Sequence, residues 1–139
     1  MPVKKPRPAA RLVSIVDDDA SVRNSMRRLV RSFGFQAEAF GSAEEFLASE
    51  DAARSACLIL DVRMPGMDGL ELQRRLADSG QAVPIVFITG HASEAEQRRA
   101  LRAGAVDFLR KPVAKDELVR VLRTVFQQST SDQGDDDGQ

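Results

Sequence analysis

The residues of this chain best suited to chemistry stand where apolar runs end. Asp17, Asp18 and Asp19 follow Leu12–Val16, Asp61 follows Cys57–Leu60, Thr89 follows Ile85–Ile88, and Lys111 with Pro112 comes shortly after Val106–Leu109. Brought together, they would make an acidic hollow with one ammonium and one hydroxyl. Two carboxylates about 5 Å apart repel by roughly 3 kcal/mol at an effective dielectric near 20, so such a hollow requires a cation. Mg2+ suits all-oxygen ligands and commonly takes only one or two carboxylates, leaving the rest to waters and a phosphate oxygen. Lys111 can hold a phosphate oxygen as a point charge, and Thr89 can donate a hydrogen bond to another. Asp61 is then a candidate nucleophile for phosphoryl transfer, which depends mostly on positioning and charge neutralisation.

Other chemistries lose support. His91 is the single histidine, and the chain spells neither G-x-x-x-x-G-K nor G-x-G-x-x-G. Zinc hydrolysis, acyl transfer by a Ser-His-Asp set and nucleotide binding are therefore disfavoured, and His91 reads as a solvent-facing loop residue. Cys57, the only cysteine, excludes an internal disulfide and a cysteine-built metal site. Within ACLIL it reads as buried packing. Twenty basic and 21 acidic residues leave a net charge of -1, no bulk argument for nucleic-acid binding by this chain alone. The 139 residues, 42% hydrophobic and 29% charged, suit one globular domain. No apolar run approaches the ~18 residues of a membrane span.

From Asp17 to Asp61, Thr89 and Lys111 the gaps are 44, 28 and 22 residues, so a fold must gather these groups. Five apolar runs, Leu12–Val16, Phe35–Ala39, Cys57–Leu60, Ile85–Ile88 and Val106–Leu109, alternate with segments of helical period. That alternation predicts an α/β class, with parallel strands joined by crossover helices. Right-handed crossovers bring all strand ends to one rim, where ligands collect at the reversal of strand order. Val22, Met26, Leu29, Val30 and Phe33 line the first helix, which Gly34 stops. Ser42/Glu45, Asp68/Glu71 and Ser93/Glu96 spell capping boxes at three later helix starts. The helix from about Ser93 to Ala103 has an apolar face of alanine plus Leu101 and is expected to be loosely held. Leu118, Val121, Leu122 and Val125 line the last helix. Residues 1–10 read as a disordered leader on a cytoplasmic protein, since no signal-peptide apolar region follows them. Residues 128–139, without large apolar side chains, read as a disordered tail or the start of a linker.

VDDD (Val16–Asp19), LDVRMPGMDG (Leu60–Gly69), ITGH (Ile88–His91) and GAVDFLRKP (Gly104–Pro112) occur in that order. Through these motifs the chain, over about residues 11–127, resembles the receiver domain of two-component response regulators, in the FixJ-like branch. The resemblance implies a doubly wound (βα)5 domain of strand order 2-1-3-4-5 that takes a phosphoryl group from a sensor histidine kinase onto Asp61. It implies that Asp18 binds Mg2+ directly, Asp17 directly or through water, and that Asp61 and the backbone carbonyl of Arg63 complete the protein ligands, with Mn2+ able to substitute. Lys111 becomes the phosphate clamp, before a cis bond to Pro112. Thr89 and Phe108 become a switch pair, residue 108 moving from outside to inside. Family members vary in phosphoryl lifetime at the positions of the Arg63 side chain and His91. The surface of the Ser93–Ala103 helix, the fifth strand and the last helix then changes, implying a phosphorylation-dependent homodimer. DNA contact, and so control of transcription, would come only through an output domain not in this chain. Such a domain catalyses only its own phosphorylation and dephosphorylation.

Two other readings stand beside this one. Asp17-x-Asp19 resembles the opening of haloacid-dehalogenase-type phosphatases, with Asp17 as nucleophile, but the acidic pair Asp116 and Glu117 starts a helix and comes too late to hold that family's metal. A non-phosphorylated interaction module on the same fold usually lacks site residues, and none is lost here. Asp19 reads either as part of the acidic set or as a helix cap.

Overall fold

The computed structural model describes residues 11–138, with side chains as far as residue 127. In chain order the elements are β1 (Leu12–Val16), α1 (Ala20–Ser32), β2 (Gln36–Phe40), α2 (Ala43–Leu47), α3 (Asp51–Arg54), β3 (Cys57–Leu60), α4 (Gly69–Asp78), β4 (Ile85–Thr89), α5 (Glu94–Arg102), β5 (Asp107–Arg110) and α6 (Lys115–Gly138). The strands are all parallel and lie in the order β2-β1-β3-β4-β5, the doubly wound sheet expected.

Strand parity sorts the core into two layers. Val13, Ile15, Ile59, Val86 and Ile88 face Met26 and Val30 of α1 and Leu118 and Leu122 of α6. Val16, Leu58, Leu60 and Phe87 face Phe46 of α2 and Leu72 and Leu76 of α4. Cover on both faces is why the central strands read as unbroken apolar runs. β2 and β5 each begin one residue later than the apolar runs suggest. Phe35, left outside the sheet, stacks on Phe126 with ring centroids 4.8 Å apart.

Asp19 caps α1, its Oδ1 accepting from the Ser21 and Val22 amides. Of the three spelled capping boxes only Ser93/Glu96 is reciprocal. Ser42 and Asp68 accept from the expected amides, but Glu45 reaches the Gly41 amide instead and Glu71 faces Arg75. Of the apolar face expected for α5 only Ala100 is buried, and Leu101 is 41% exposed. The small Ala100 lets Gln73 Nε2, from α4, donate to its carbonyl at 3.0 Å. The expected leader lies outside the described residues. The boundary expected at residue 127 falls within the span of α6, Lys115–Gly138. Among the described residues no helix is long and apolar enough to cross a membrane.

Candidate functional site

The reversal of strand order falls between β1 and β3, and there the register sets the site. Val16 pairs with Phe40 on one side and Leu60 on the other. The ladder continues one step, the Asp17 amide donating to the Phe40 carbonyl at 3.1 Å and the Asp61 amide to the Val16 carbonyl at 3.0 Å. Both aspartates therefore emerge at the rim as neighbours. At the other side of the crevice the Lys111 amide donates to the Thr89 carbonyl at 2.9 Å, after which the Lys111–Pro112 peptide is cis.

Asp17 and Asp61 are buried, whereas Asp18 is exposed at the mouth. One carboxylate oxygen from each of the three lies within 4.8 Å of the others. Lys111 Nζ spans the floor, 2.7 Å from Asp17 Oδ2 and 3.0 Å from Asp61 Oδ2. Asp17 Oδ1 accepts from the Asp19 amide at 2.9 Å, and Asp61 Oδ1 from the Arg63 amide at 3.3 Å. Asp17 Oδ2, fully buried, receives no directed hydrogen bond; the ammonium beside it makes a charge contact out of hydrogen-bond alignment. A buried anionic oxygen with no donor aimed at it suits a hard cation, so the residues present fit Mg2+.

Burial pushes the Asp61 carboxyl above the usual range, with the hydrogen bond from Lys111 opposing and the Asp17 charge adding to the rise. Burial also works against the charge on Lys111, but its charged contacts with Asp17 and Asp61 outweigh this and lift it above the ordinary lysine value. Cys57 is remote and fully buried, its thiol pushed up to about 12 by burial, as a packing residue should be.

Thr89 and Phe108 are in place but turned to other partners. Thr89 Oγ1 donates to the His91 carbonyl at 3.0 Å and accepts from the His91 amide at 3.2 Å. Phe108 is 8% exposed and lies against Phe87, ring centroids 5.7 Å apart. In this structure the Phe108 ring lies inside, against Phe87, while the Thr89 hydroxyl is bonded to His91. A ring without a hydroxyl has nothing to gain from facing water. His91 is exposed, as expected, and the Arg63 side chain leaves the hollow for Glu96. Asp19 serves as a cap, and Asp116 and Glu117 sit in the first turn of α6, outside the acidic cluster.

Two residues that shape the site carried no readable role in the sequence. A Cβ at Gly69 would stand 2.2 Å from the Asp61 carbonyl oxygen and 3.1 Å from Phe87 Cε1, so α4 starts hard against the backbone of Asp61. Glu44, on α2, accepts from the Met67 amide at 3.1 Å and so ties down the β3–α4 loop. Hydrogen bonds from its own amide and that of Met67 hold its carboxyl below the usual range. The glycine of MDG was a visible signal; nothing local marks Glu44.

Residues 13–123 match the family described as the response regulator receiver domain. Response regulator protein TmoT of Ectopseudomonas mendocina is 44% identical over 115 residues, 83% of this chain and 52% of TmoT. Transcriptional regulatory protein FixJ of Bradyrhizobium diazoefficiens is 37% identical over 117 residues, 84% of this chain and 57% of FixJ. The crystal structure of FixJ-N matches with a TM-score of 0.75 at 37% identity, covering 83% of this chain and 92% of that one. The chain spans about half the length of the curated relatives it matches. With three acids and a lysine gathered where that fold reverses its strand order, the chain belongs to the receiver domains of two-component response regulators.

Proposed function

We propose that this chain accepts a phosphoryl group from a sensor histidine kinase onto Asp61, in a Mg2+-dependent step, and converts it into a changed α5–β5–α6 surface. The observation that carries this reading is the cluster of Asp17, Asp18 and Asp61 oxygens within 4.8 Å, with Lys111 spanning Asp17 and Asp61. Asp17, Asp18, Asp61 and the Arg63 backbone carbonyl would hold Mg2+, or Mn2+ in its place. When bound, the cation supplies charge neutralisation to the carboxylates and the incoming phosphoryl oxygens.

The chain's own groups do the rest. A carboxylate oxygen of Asp61 attacks phosphorus; the new O–P bond forms as the N–P bond to the kinase histidine breaks and its imidazole leaves. Lys111 exchanges its contact with Asp61 for one with a phosphoryl oxygen. Thr89 Oγ1, which donates to the neutral His91 carbonyl, gains an anionic acceptor, and such charge-assisted bonds are roughly twice as strong as neutral ones. Its departure changes the packing that Phe108 shares with Phe87 across β4 and β5. His91 and the Arg63 side chain, at the mouth, would tune access of the hydrolytic water and thus phosphoryl lifetime.

Residues 11–127 form the phosphoacceptor unit in this reading. The half-length match to full regulators supports an output domain elsewhere, through which a phosphorylation-dependent homodimer would act on DNA in the cytoplasm, with no membrane contact. The test is treatment with a small phosphodonor and Mg2+, reading intact mass and self-association for wild type and Asp61→Asn. Wild type should gain the mass of one phosphoryl group and self-associate, and the variant should do neither. A mass gain unaffected by the substitution would remove Asp61 from its role.

A further inference from the structure

Arg63 stands two residues beyond Asp61, yet its guanidinium points away from the hollow. Its Nε donates to the His91 carbonyl at 3.4 Å, and its Nη2 lies 2.7 Å from Glu96 Oε1. Both acceptors are shared. The His91 carbonyl also takes the Thr89 hydroxyl at 3.0 Å, and Glu96 Oε1 also takes the Ser93 amide at 2.9 Å, closing the capping box of α5. One side chain therefore joins the loop after the phosphoacceptor, the acceptor on which the switch hydroxyl rests and the cap of the helix that buries only Ala100.

We infer that Arg63 is a positioning residue whose pair with Glu96 latches the β4–α5 loop and α5 in the unphosphorylated arrangement. The inference rests on the proposed phosphorylation of Asp61. When Thr89 leaves the His91 carbonyl, that oxygen keeps only the long contact from Arg63, while a phosphoryl group nearby offers the guanidinium a doubly charged acceptor. The latch opens with the switch. The side chains of Arg63 and Glu96 are 59% and 25% exposed, which makes this a modest surface pair. By linkage, whatever favours the unphosphorylated arrangement weakens the apparent affinity for a phosphoryl mimic by the same factor.

Beryllofluoride with Mg2+, titrated calorimetrically into the full chain, tests this. Glu96→Gln keeps an oxygen for the Ser93 amide and removes the charge that attracts Arg63; it should tighten beryllofluoride binding about two- to five-fold, the range of a surface ion pair. Amide exchange over residues 91–97 should rise in the absence of ligand. Ser93→Ala, which breaks the cap but leaves the pair, should not tighten binding, and Glu96→Gln should have no further effect in an Arg63→Met background. Unchanged or weakened binding in Glu96→Gln, an equal gain in Ser93→Ala, or a full effect of Glu96→Gln without Arg63 would each overturn the latch. Failure of the wild type to bind beryllofluoride would instead overturn the phosphoryl-site reading, and the latch with it.

Discussion

Lys111→Met removes the ammonium from the hollow while keeping most of the side-chain length. Contacts of 2.7 and 3.0 Å correspond to about 6 and 5.5 kcal/mol of gross attraction at a dielectric near 20, much of it offset by taking the charges out of water. What is left behind is simpler to weigh. Carboxylate oxygens of Asp17 and Asp61 within 4.8 Å repel by at least about 3 kcal/mol on the same scale, in line with the 3–5 kcal/mol typical of a broken buried pair. Urea unfolding at pH 8 without divalent ions should therefore show a loss of about 3–5 kcal/mol. Protons relieve part of it. The folded-state pKa of Asp61 already lies above its ordinary value of 3.8, so protonation favours the folded form as pH falls through the raised value. Without Lys111 that value rises further, and the deficit should shrink between pH 8 and pH 5. The lysine does not contribute to this slope: its folded-state pKa is above 10.5, so its stabilisation is fully present below that value and is lost only as pH rises beyond it. A cation should relieve the rest, because Lys111 and Mg2+ compete for Asp17 Oδ2. Mg2+ should stabilise the variant more than wild type, each tenfold gain in affinity adding about 1.4 kcal/mol at saturating metal. Equal stability at pH 8 without metal, or an equal response to Mg2+, would refute the reasoning.

Gly69→Ala forces a Cβ to 2.2 Å from the Asp61 carbonyl oxygen, so one of them must retreat by about 1 Å. A loss of about 1–3 kcal/mol in urea unfolding should accompany slower labelling by a small phosphodonor, and wild-type values of both would contradict the contact. Asp19→Ala deletes the α1 cap and should cost about 1 kcal/mol in urea unfolding while leaving Mg2+ affinity intact; weakened Mg2+ binding would place Asp19 among the ligands. Cys57, fully buried with its thiol pushed up to about 12, should react with a thiol reagent only as fast as the chain unfolds, and labelling at a free-thiol rate would show access to the sheet.

The sequence made β1, β3 and β4 plain because both faces are covered, so that apolar residues run without interruption. The crossover between β2 and β3 was less legible. Ser49 Oγ accepts from the Asp51 amide at 2.8 Å, a local side-chain bond that competes with the helix and separates α2 from α3. On α5 the adjacent residues Ala100 and Leu101 differ by about 100° of helical rotation, and periodicity on so short a helix could not say which faces α4. The acids of the site were legible because topology alone brings strand ends together. The reason for Gly69 is a carbonyl oxygen eight positions back that only the folded chain brings near. The inward ring of Phe108 and the outward reach of Arg63 depend on competition among side chains, which spacing does not encode.

The exposure of Leu101 bears on how this domain can switch. Moving a two-state element from 1:99 to 99:1 takes about 5.5 kcal/mol of differential interaction. In the proposed switch a charged hydrogen bond gained by Thr89 would supply only about 1.5–3 kcal/mol, with the remainder left to Lys111 and to repacking around Phe108. Full burial of Leu101 would fasten α5 by about another 1.5–3 kcal/mol, enough to cancel the contribution of Thr89. Instead α5 rests on Ala100, the Gln73 bond to its carbonyl and the Arg63–Glu96 pair. The hollow is held by strong, buried charge and the helix beyond it by weak, mostly polar contacts, and under the proposed phosphorylation this contrast would let an event at Asp61 be read on the far side of β4.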